Sequence, residues 1–298
     1  MFAGGHALIE GVPGLGKTKT VKTIAKVFGY ETKRISFTPD LLPTDLTGVE
    51  IYRPQTAKFE VRKGPIFTNI LLADEINRTP PKVQSALLEA MEEHQVTIGN
   101  ETFTLPSPFF VIATQNPLEH EGTYPLPEAE LDRFFMKILL SYPLAEDEKK
   151  IFSQNPEDEK KGNDTPLLTK EEFLELKDYI KKKIYVDANI YQYISSILEA
   201  TRLRKSPPGD TSTNKNPELS DITRLLSYGA STRAGIAMVE ASRIIALLDN
   251  RDYVSPDDIK YIAHEILRHR IGLSYEAISE GISSDDIITD ILNKVIIP

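Results

Sequence analysis

No cysteine occurs among the 298 residues. Disulfide frameworks, thiolate metal centres and cysteine nucleophiles are therefore excluded. Basic residues are in the minority: 35 Lys and Arg stand against 44 Asp and Glu, a formal net charge of −9. A general nucleic-acid coat needs the opposite balance, because such binding releases counterions from phosphates. A small basic channel stays compatible with this composition. Long apolar runs are missing too. The longest, residues 109–113 and 244–248, fall far short of the ~20 residues needed to cross a bilayer, so no membrane insertion is expected. Met1-Phe2-Ala3-Gly4-Gly5 shows no basic stretch leading into an apolar one, so no signal peptide is expected. An acidic, soluble, cytoplasmic protein is the expectation.

What is present divides the chain in two. Apolar strand candidates at 7–9, 33–37, 69–73, 109–114 and 137–140 alternate with helical patterns. Among the latter, Val21, Ile24, Ala25, Val27 and Phe28 recur at helical spacing before Gly29, and residues 82–93 form another helix. That alternation predicts an α/β domain with a parallel sheet. Residues 96–98 and 101–105, separated by Gly99-Asn100, predict a β-hairpin. Beyond Tyr142 the period is helical with almost no strand signal. The polar stretch 147–165 reads as a solvated helix face followed by a loop, and 206–217 as a long surface loop. Helices are expected at 219–228, after Ser231, and from Ser255-Pro256-Asp257-Asp258, where Ser caps and Pro pre-sets the first turn. The boundary therefore falls near Tyr142, with residues 1–142 as the α/β core and 143–298 as a helical domain. No internal repeat or low-complexity tract is visible.

One motif carries chemistry without help from its neighbours. Gly11, Val12, Pro13, Gly14, Leu15, Gly16, Lys17 and Thr18 form a complete G-x-x-x-x-G-K-[ST] loop between a strand and a helix. The glycines let backbone N–H groups curl round a triphosphate, Lys17 supplies a charge at the β- and γ-phosphates, and Thr18 offers a hydroxyl to Mg²⁺. The apolar run Ile70-Leu71-Leu72-Ala73 then ends in Asp74-Glu75. Asp74 is expected to bind Mg²⁺ through water, and Glu75 to polarise the attacking water as general base. A nucleoside triphosphate and Mg²⁺ are what these residues call for.

Further segments make the sequence recognisable. Glu10 to Thr18, Phe37-Thr-Pro-Asp-Leu-Leu-Pro43 with Asp45-Leu-Thr-Gly48, and Ala73-Asp-Glu-Ile-Asn-Arg78 resemble the MoxR family of AAA+ ATPases. So do Ala113-Thr-Gln-Asn-Pro117, Leu126-Pro-Glu-Ala-Glu-Leu-Asp-Arg-Phe134, Gly229-Ala-Ser-Thr-Arg-Ala234 and Leu267-Arg-His-Arg-Ile271. The resemblance implies that the nucleotide is ATP and the fold an AAA+ P-loop NTPase, with a five-stranded parallel sheet between helices followed by an all-α lid. It implies that Asn116 is the first sensor, holding the attacking water or the γ-phosphate. Arg133 looks like the arginine finger, which in this family reaches the neighbouring subunit's ATP and whose kind is worth ~10³–10⁵ in rate. Arg233 looks like the second sensor on the lid; Thr232 stands where the family usually has Pro. The hairpin at 96–105 matches the insertion before the first sensor, and residues 46–65 match the insertion in the second helix. The family normally carries a helical segment ahead of the first strand, part of which cradles adenine; this chain begins ten residues before Gly11, so a shortened N-terminus is expected.

The resemblance further implies a homo-oligomeric ring, a hexamer, that remodels or matures protein clients. A von Willebrand factor A domain partner and assistance in metal cofactor insertion are part of the same expectation. A nucleotide-gated binding switch with incidental hydrolysis is the alternative. A DNA-remodelling ATPase ranks behind both because of the acidic balance. His264 and His269 are five apart and differ by roughly 140° on a helix, so they do not share a metal. Glu119-His120-Glu121 reads as a solvated loop.

Overall fold

A computed structural model describes residues 1–12, 14–117, 122–153, 166–202 and 222–298. The chain forms two compact units. A sheet unit comprises His6–Leu126 and Ile138–Leu174; a helical unit comprises Met1–Gly5, Pro127–Lys137 and Glu175–Pro298.

The sheet contains β1 (Ala7–Gly11), β2 (Thr32–Ser36), β5 (Ile70–Asp74), β8 (Phe110–Gln115) and β9 (Met136–Leu140) in the order β2-β5-β8-β1-β9. It is the parallel five-stranded sheet that the alternating pattern predicts. Leu8, Ile70, Leu71, Val111 and Ala113 are fully buried, as expected for central strands covered on both faces. At the edge, β2 buries only Ile35. The register sets Ala73 opposite Ala113 and Ser36 opposite Asp74, which brings three strand ends to one level.

Helix α1 (Lys17–Phe28) buries Val21 and Ala25, one turn apart, and stops at Gly29, whose φ of 62° is the left-handed conformation that closes a helix. Between them, α2 (Pro43–Thr47) and α3 (Pro81–Glu93) enclose a hairpin of β3 (Gly48–Arg53) and β4 (Lys58–Lys63). This hairpin fills the stretch 46–65 that resembles the helix insertion. The predicted hairpin is β6 (Gln95–Ile98) and β7 (Glu101–Thr104), paired from Gln95–Thr104 to Ile98–Glu101. Helix α4 (Glu128–Leu131) lies in the helical unit and α5 (Ala145–Ser153) in the sheet unit; α6 (Lys170–Lys183) runs across the boundary between them.

The helical unit packs α7 (Ala188–Ala200), α8 (Thr232–Leu248), α9 (Pro256–Leu267) and α11 (Ser284–Lys294) round one apolar cluster that includes Tyr193, Ile197, Met238, Ile266 and Ile288. The short α10 (Tyr275–Ser279) precedes α11. Side-chain oxygens start these helices: Ser231 caps α8, Ser283 caps α11, and at the start of α9 the Asp258 carboxylate accepts the Ser255 N–H. One local expectation fails. Residues 226–228 are not helical but form β10 (Leu226–Tyr228), antiparallel to β11 (Gly272–Leu273). Long-range pairing overrides local helical spacing there: a Cβ on Gly272 would lie 2.1 Å from the Tyr228 ring, so the glycine is what lets the strands meet. Residues 219–221, 154–165 and the predicted loop at 206–217 lie outside the described residues.

Candidate nucleotide site

The candidate site grows from the end of β1. Gly14 and Gly16 adopt φ of 87° and 76°, a region that L side chains avoid, so glycine is required by the turn itself. Gly16 is also the residue before α1, and neither a capping side chain nor an acid occupies that helix start. The first-turn N–H groups and the positive end of the helix dipole are therefore available to an anion. Gly11 serves differently: a Cβ there would come within 2.9 Å of the Leu140 carbonyl on the adjacent strand. Val12 is half-buried, Leu15 lies in the turn, and Thr18 is the second residue of α1. Pro13 lies outside the described residues.

Lys17 bends back over the loop. Its Nζ donates to the Gly11 carbonyl at 2.5 Å and reaches the Gln115 carbonyl at 3.5 Å, so it lies over the ends of β1 and β8. Burial holds its ammonium below the usual lysine range, while the carboxylates of Asp74, Glu75 and Glu10 pull the other way. Lys17 and the two acids thus share one electrostatic neighbourhood.

Thr114 organises the acids. Its hydroxyl donates to Asp74 Oδ1 at 2.7 Å and accepts the Glu75 N–H at 2.9 Å. One buried threonine on β8 therefore fixes both the carboxylate of Asp74 and the backbone of Glu75. Asp74 Oδ2 receives Arg34 from the edge strand, with Nη2 at 2.5 Å and Nε at 3.2 Å. Glu75 sits at φ 58°, uncommon for a residue with a side chain, and its Oε2 accepts Arg78 Nη1 at 3.0 Å. Asn116, 5% exposed, directly follows β8, the strand between β5 and β1.

The predicted residues thus divide between the units. Gly11, Gly14, Leu15, Gly16, Lys17, Thr18, Asp74, Glu75 and Asn116 belong to the sheet unit; Arg133 and Arg233 belong to the helical unit. Arg133 follows α4, and Arg233 is the second residue of α8, its N–H donated to the Ser231 hydroxyl at 3.1 Å. Sequence reasoning assigned no role to Arg34, Thr114, Asp132 or Arg270. The signal for Thr114 lay in the strand register, which is invisible before strand order is known. Of the discarded signals, His264 contacts Thr289 and His269 is buried against the Phe134 carbonyl, so the two histidines have separate partners. Glu119-His120-Glu121 lies outside the described residues.

Similarity to known proteins identifies the family. Residues 6–136 match the model of the ATPase family associated with various cellular activities (AAA), and residues 219–291 match the AAA lid domain. The chaperone MoxR1 of Mycobacterium tuberculosis is 42% identical over 304 aligned residues, which cover all of this chain and 76% of that protein. The chain belongs to the MoxR family of AAA ATPases. The uncharacterized protein YeaC of Bacillus subtilis is 46% identical across all of this chain and 87% of its own length. A crystal structure of a protein from Cytophaga hutchinsonii superposes with a TM-score of 0.87 at 47% identity, covering all of this chain and 87% of that one.

As a MoxR-family ATPase the chain binds nucleotide and hydrolyses ATP. The residues fit a divalent ion held together with phosphate: Thr18 and Asp74 offer oxygen donors, and Asp74 already attracts a cation in Arg34. Among the described residues no group of three or more His, Asp or Glu could hold a metal ion. No described helix is long and apolar enough to cross a membrane.

Proposed function

We propose that this MoxR-family ATPase is a ring-forming remodelling enzyme that uses ATP with Mg²⁺ to alter protein clients. The observation that carries the reading is the Thr114 bridge, which sets Asp74 and Glu75 at one strand end within the electrostatic reach of Lys17. In this reading the loop N–H groups and Lys17 bind the phosphates. Thr18 and Asp74 hold Mg²⁺, which when bound neutralises charge on the phosphate oxygens. Glu75 takes the proton of the attacking water, and Asn116 orients that water by hydrogen bonding. Arg233 reports the γ-phosphate to the lid, and Arg133 stabilises transition-state charge at the neighbouring subunit's ATP.

Residues 1–142 then serve as the nucleotide-binding core and 143–298 as the lid. The assembly is a homohexamer working in the cytoplasm, with a von Willebrand factor A domain protein as partner. Its role is chaperone-like maturation of proteins, metal cofactor insertion included. The relative named chaperone MoxR1 supports that role. So does the hairpin β3–β4, where Tyr52 and Phe59 expose half or more of their surface with ring centroids 5.3 Å apart, a feature suited to gripping apolar peptide.

A mixing experiment tests the ring. Arg133→Ala leaves a complete phosphate loop without a finger, and Lys17→Ala leaves a finger without a phosphate loop. Mixed together, the two inactive variants recover phosphate release if Arg133 acts in trans. No recovery, with strictly monomeric light scattering in ATP, would remove the ring from the proposal.

The Glu75–Arg78 ion pair favours one second reading. A base held by a neighbouring cation suits a nucleotide-gated binding switch in which hydrolysis is incidental. Client docking that needs ATP but proceeds equally in Glu75→Gln would select it.

A further inference from the structure

Asp132 and Arg270 form a heavily bonded polar centre of the helical unit. Arg270 is 4% exposed and places all five of its N–H groups. Nε donates to Asp132 Oδ1 at 2.8 Å, Nη1 to the carbonyls of Phe135 and Ile266 at 3.0 and 2.7 Å, and Nη2 to the carbonyls of Asp132 and Phe134 at 3.1 and 2.5 Å. Three of those acceptors are backbone oxygens that bracket Arg133 in sequence. The finger segment is thus fastened through its backbone.

The same carboxylate reaches the other arginine. Ser231 Oγ donates to Asp132 at 3.1 Å from Oδ1 and 2.9 Å from Oδ2, and accepts the Arg233 N–H at 3.1 Å. Ser231 is the cap of α8, so its hydroxyl joins the start of that helix to the finger segment. A continuous path runs from the Arg233 backbone through Ser231 and Asp132 to Arg270 and the peptides on either side of Arg133. Each link is a hydrogen bond, and Asp132–Arg270 is a partly buried ion pair.

We propose that Asp132 and Arg270, joined through Ser231, are positioning residues that move Arg133 and the start of the Arg233 helix as one piece. A shift of the lid helix on sensing the γ-phosphate then displaces the finger offered to the next subunit. The proposal rests on the finger and sensor reading of the two arginines. It adds the element that couples them, and so a route by which nucleotide state in one subunit governs hydrolysis in its neighbour.

The test uses the full chain and a substitution that keeps the cap but cuts the link. Ser231→Asp retains a capping oxygen for the helix start. It also sets a second carboxylate against Asp132, with no Arg270 N–H left to absorb it. The expected result is a fall in kcat per mant-ATP binding site of about tenfold or more, as misplacement of a catalytic group produces. The mant-ATP Kd stays within about threefold, because the phosphate loop is untouched. Ser231→Thr keeps both hydroxyl bonds and restores turnover. Equal kcat per site in the Asp and Thr variants overturns the coupling, as does a loss that vanishes when both are assayed equally far below their melting temperatures. Arg133→Ala and Arg233→Ala serve as controls. If neither lowers turnover, the reading of those arginines falls and the coupling with it; if both do and Ser231→Asp does not, only the coupling falls.

Discussion

The guanidinium of Arg34 occupies one oxygen of Asp74 while the hydroxyl of Thr114 occupies the other. A divalent ion approaching Asp74 must therefore displace or tolerate a positive charge. Arg34 is half exposed, so the pair is partly screened by solvent and worth at most ~1 kcal/mol. Arg34→Gln removes the competing charge without disturbing the core. The Mg²⁺ concentration that half-saturates mant-ATP binding should fall about two- to fivefold. An unchanged or higher requirement would show that Arg34 does not compete with the ion.

Gly16 makes a separable prediction about the loop. A Cβ there meets no atom within 4 Å, so the cost of Gly16→Ala comes from the backbone at φ 76° and not from crowding. That cost is about 1–2 kcal/mol. The variant should melt earlier and bind mant-ATP more weakly, because relaxing the strain turns the first N–H groups of α1 away from phosphate. Unaltered melting and affinity would mean the turn accepts a side chain.

His6 predicts a pH dependence of stability. Its Nδ1 accepts the Val111 N–H at 3.0 Å and its Nε2–H donates to the Met91 carbonyl at 3.2 Å, so the backbone fixes the neutral tautomer. Burial lowers its pKa from 6.5 to about 4, an effect reinforced by the nearby His94 and opposed by the Met91 carbonyl. The unfolded chain therefore binds the proton first. Stability from this group is complete above the unfolded pKa and drains away as pH falls toward about 4. The slope approaches ~1.4 kcal/mol per pH unit within that window. Urea midpoints at pH 7.5 and 5.0 should differ clearly in the parent chain and less in His6→Gln. Equal differences would assign the pH dependence to other groups.

Much of this was legible before any fold was known. The phosphate loop declared itself because three glycines, a lysine and a threonine at fixed spacing serve one purpose. The central strands were readable because Ile70 to Ala73 is buried on both faces and so is continuously apolar. Other features depend on partners distant in sequence. Leu226 to Tyr228 carries helical spacing yet pairs with Gly272, and nothing within ten residues announces it. Thr114 bridges Asp74 and Glu75 across 40 and 39 positions, and Asp132 meets Arg270 across 138. Local composition reports a residue's period and polarity, whereas these roles are set by which strand or helix lies alongside.

The central claim is that Glu75 is the base of an ATPase whose nucleotide site is built by Lys17, Asp74 and Thr114. Multiple-turnover phosphate release by the full chain, compared with Glu75→Gln under identical mant-ATP occupancy, tests it most directly. The account predicts that Glu75→Gln binds mant-ATP with near-parental affinity and turns over at least ~100-fold more slowly. Equal turnover in the two proteins, or a loss of turnover that merely follows a loss of binding, would contradict it.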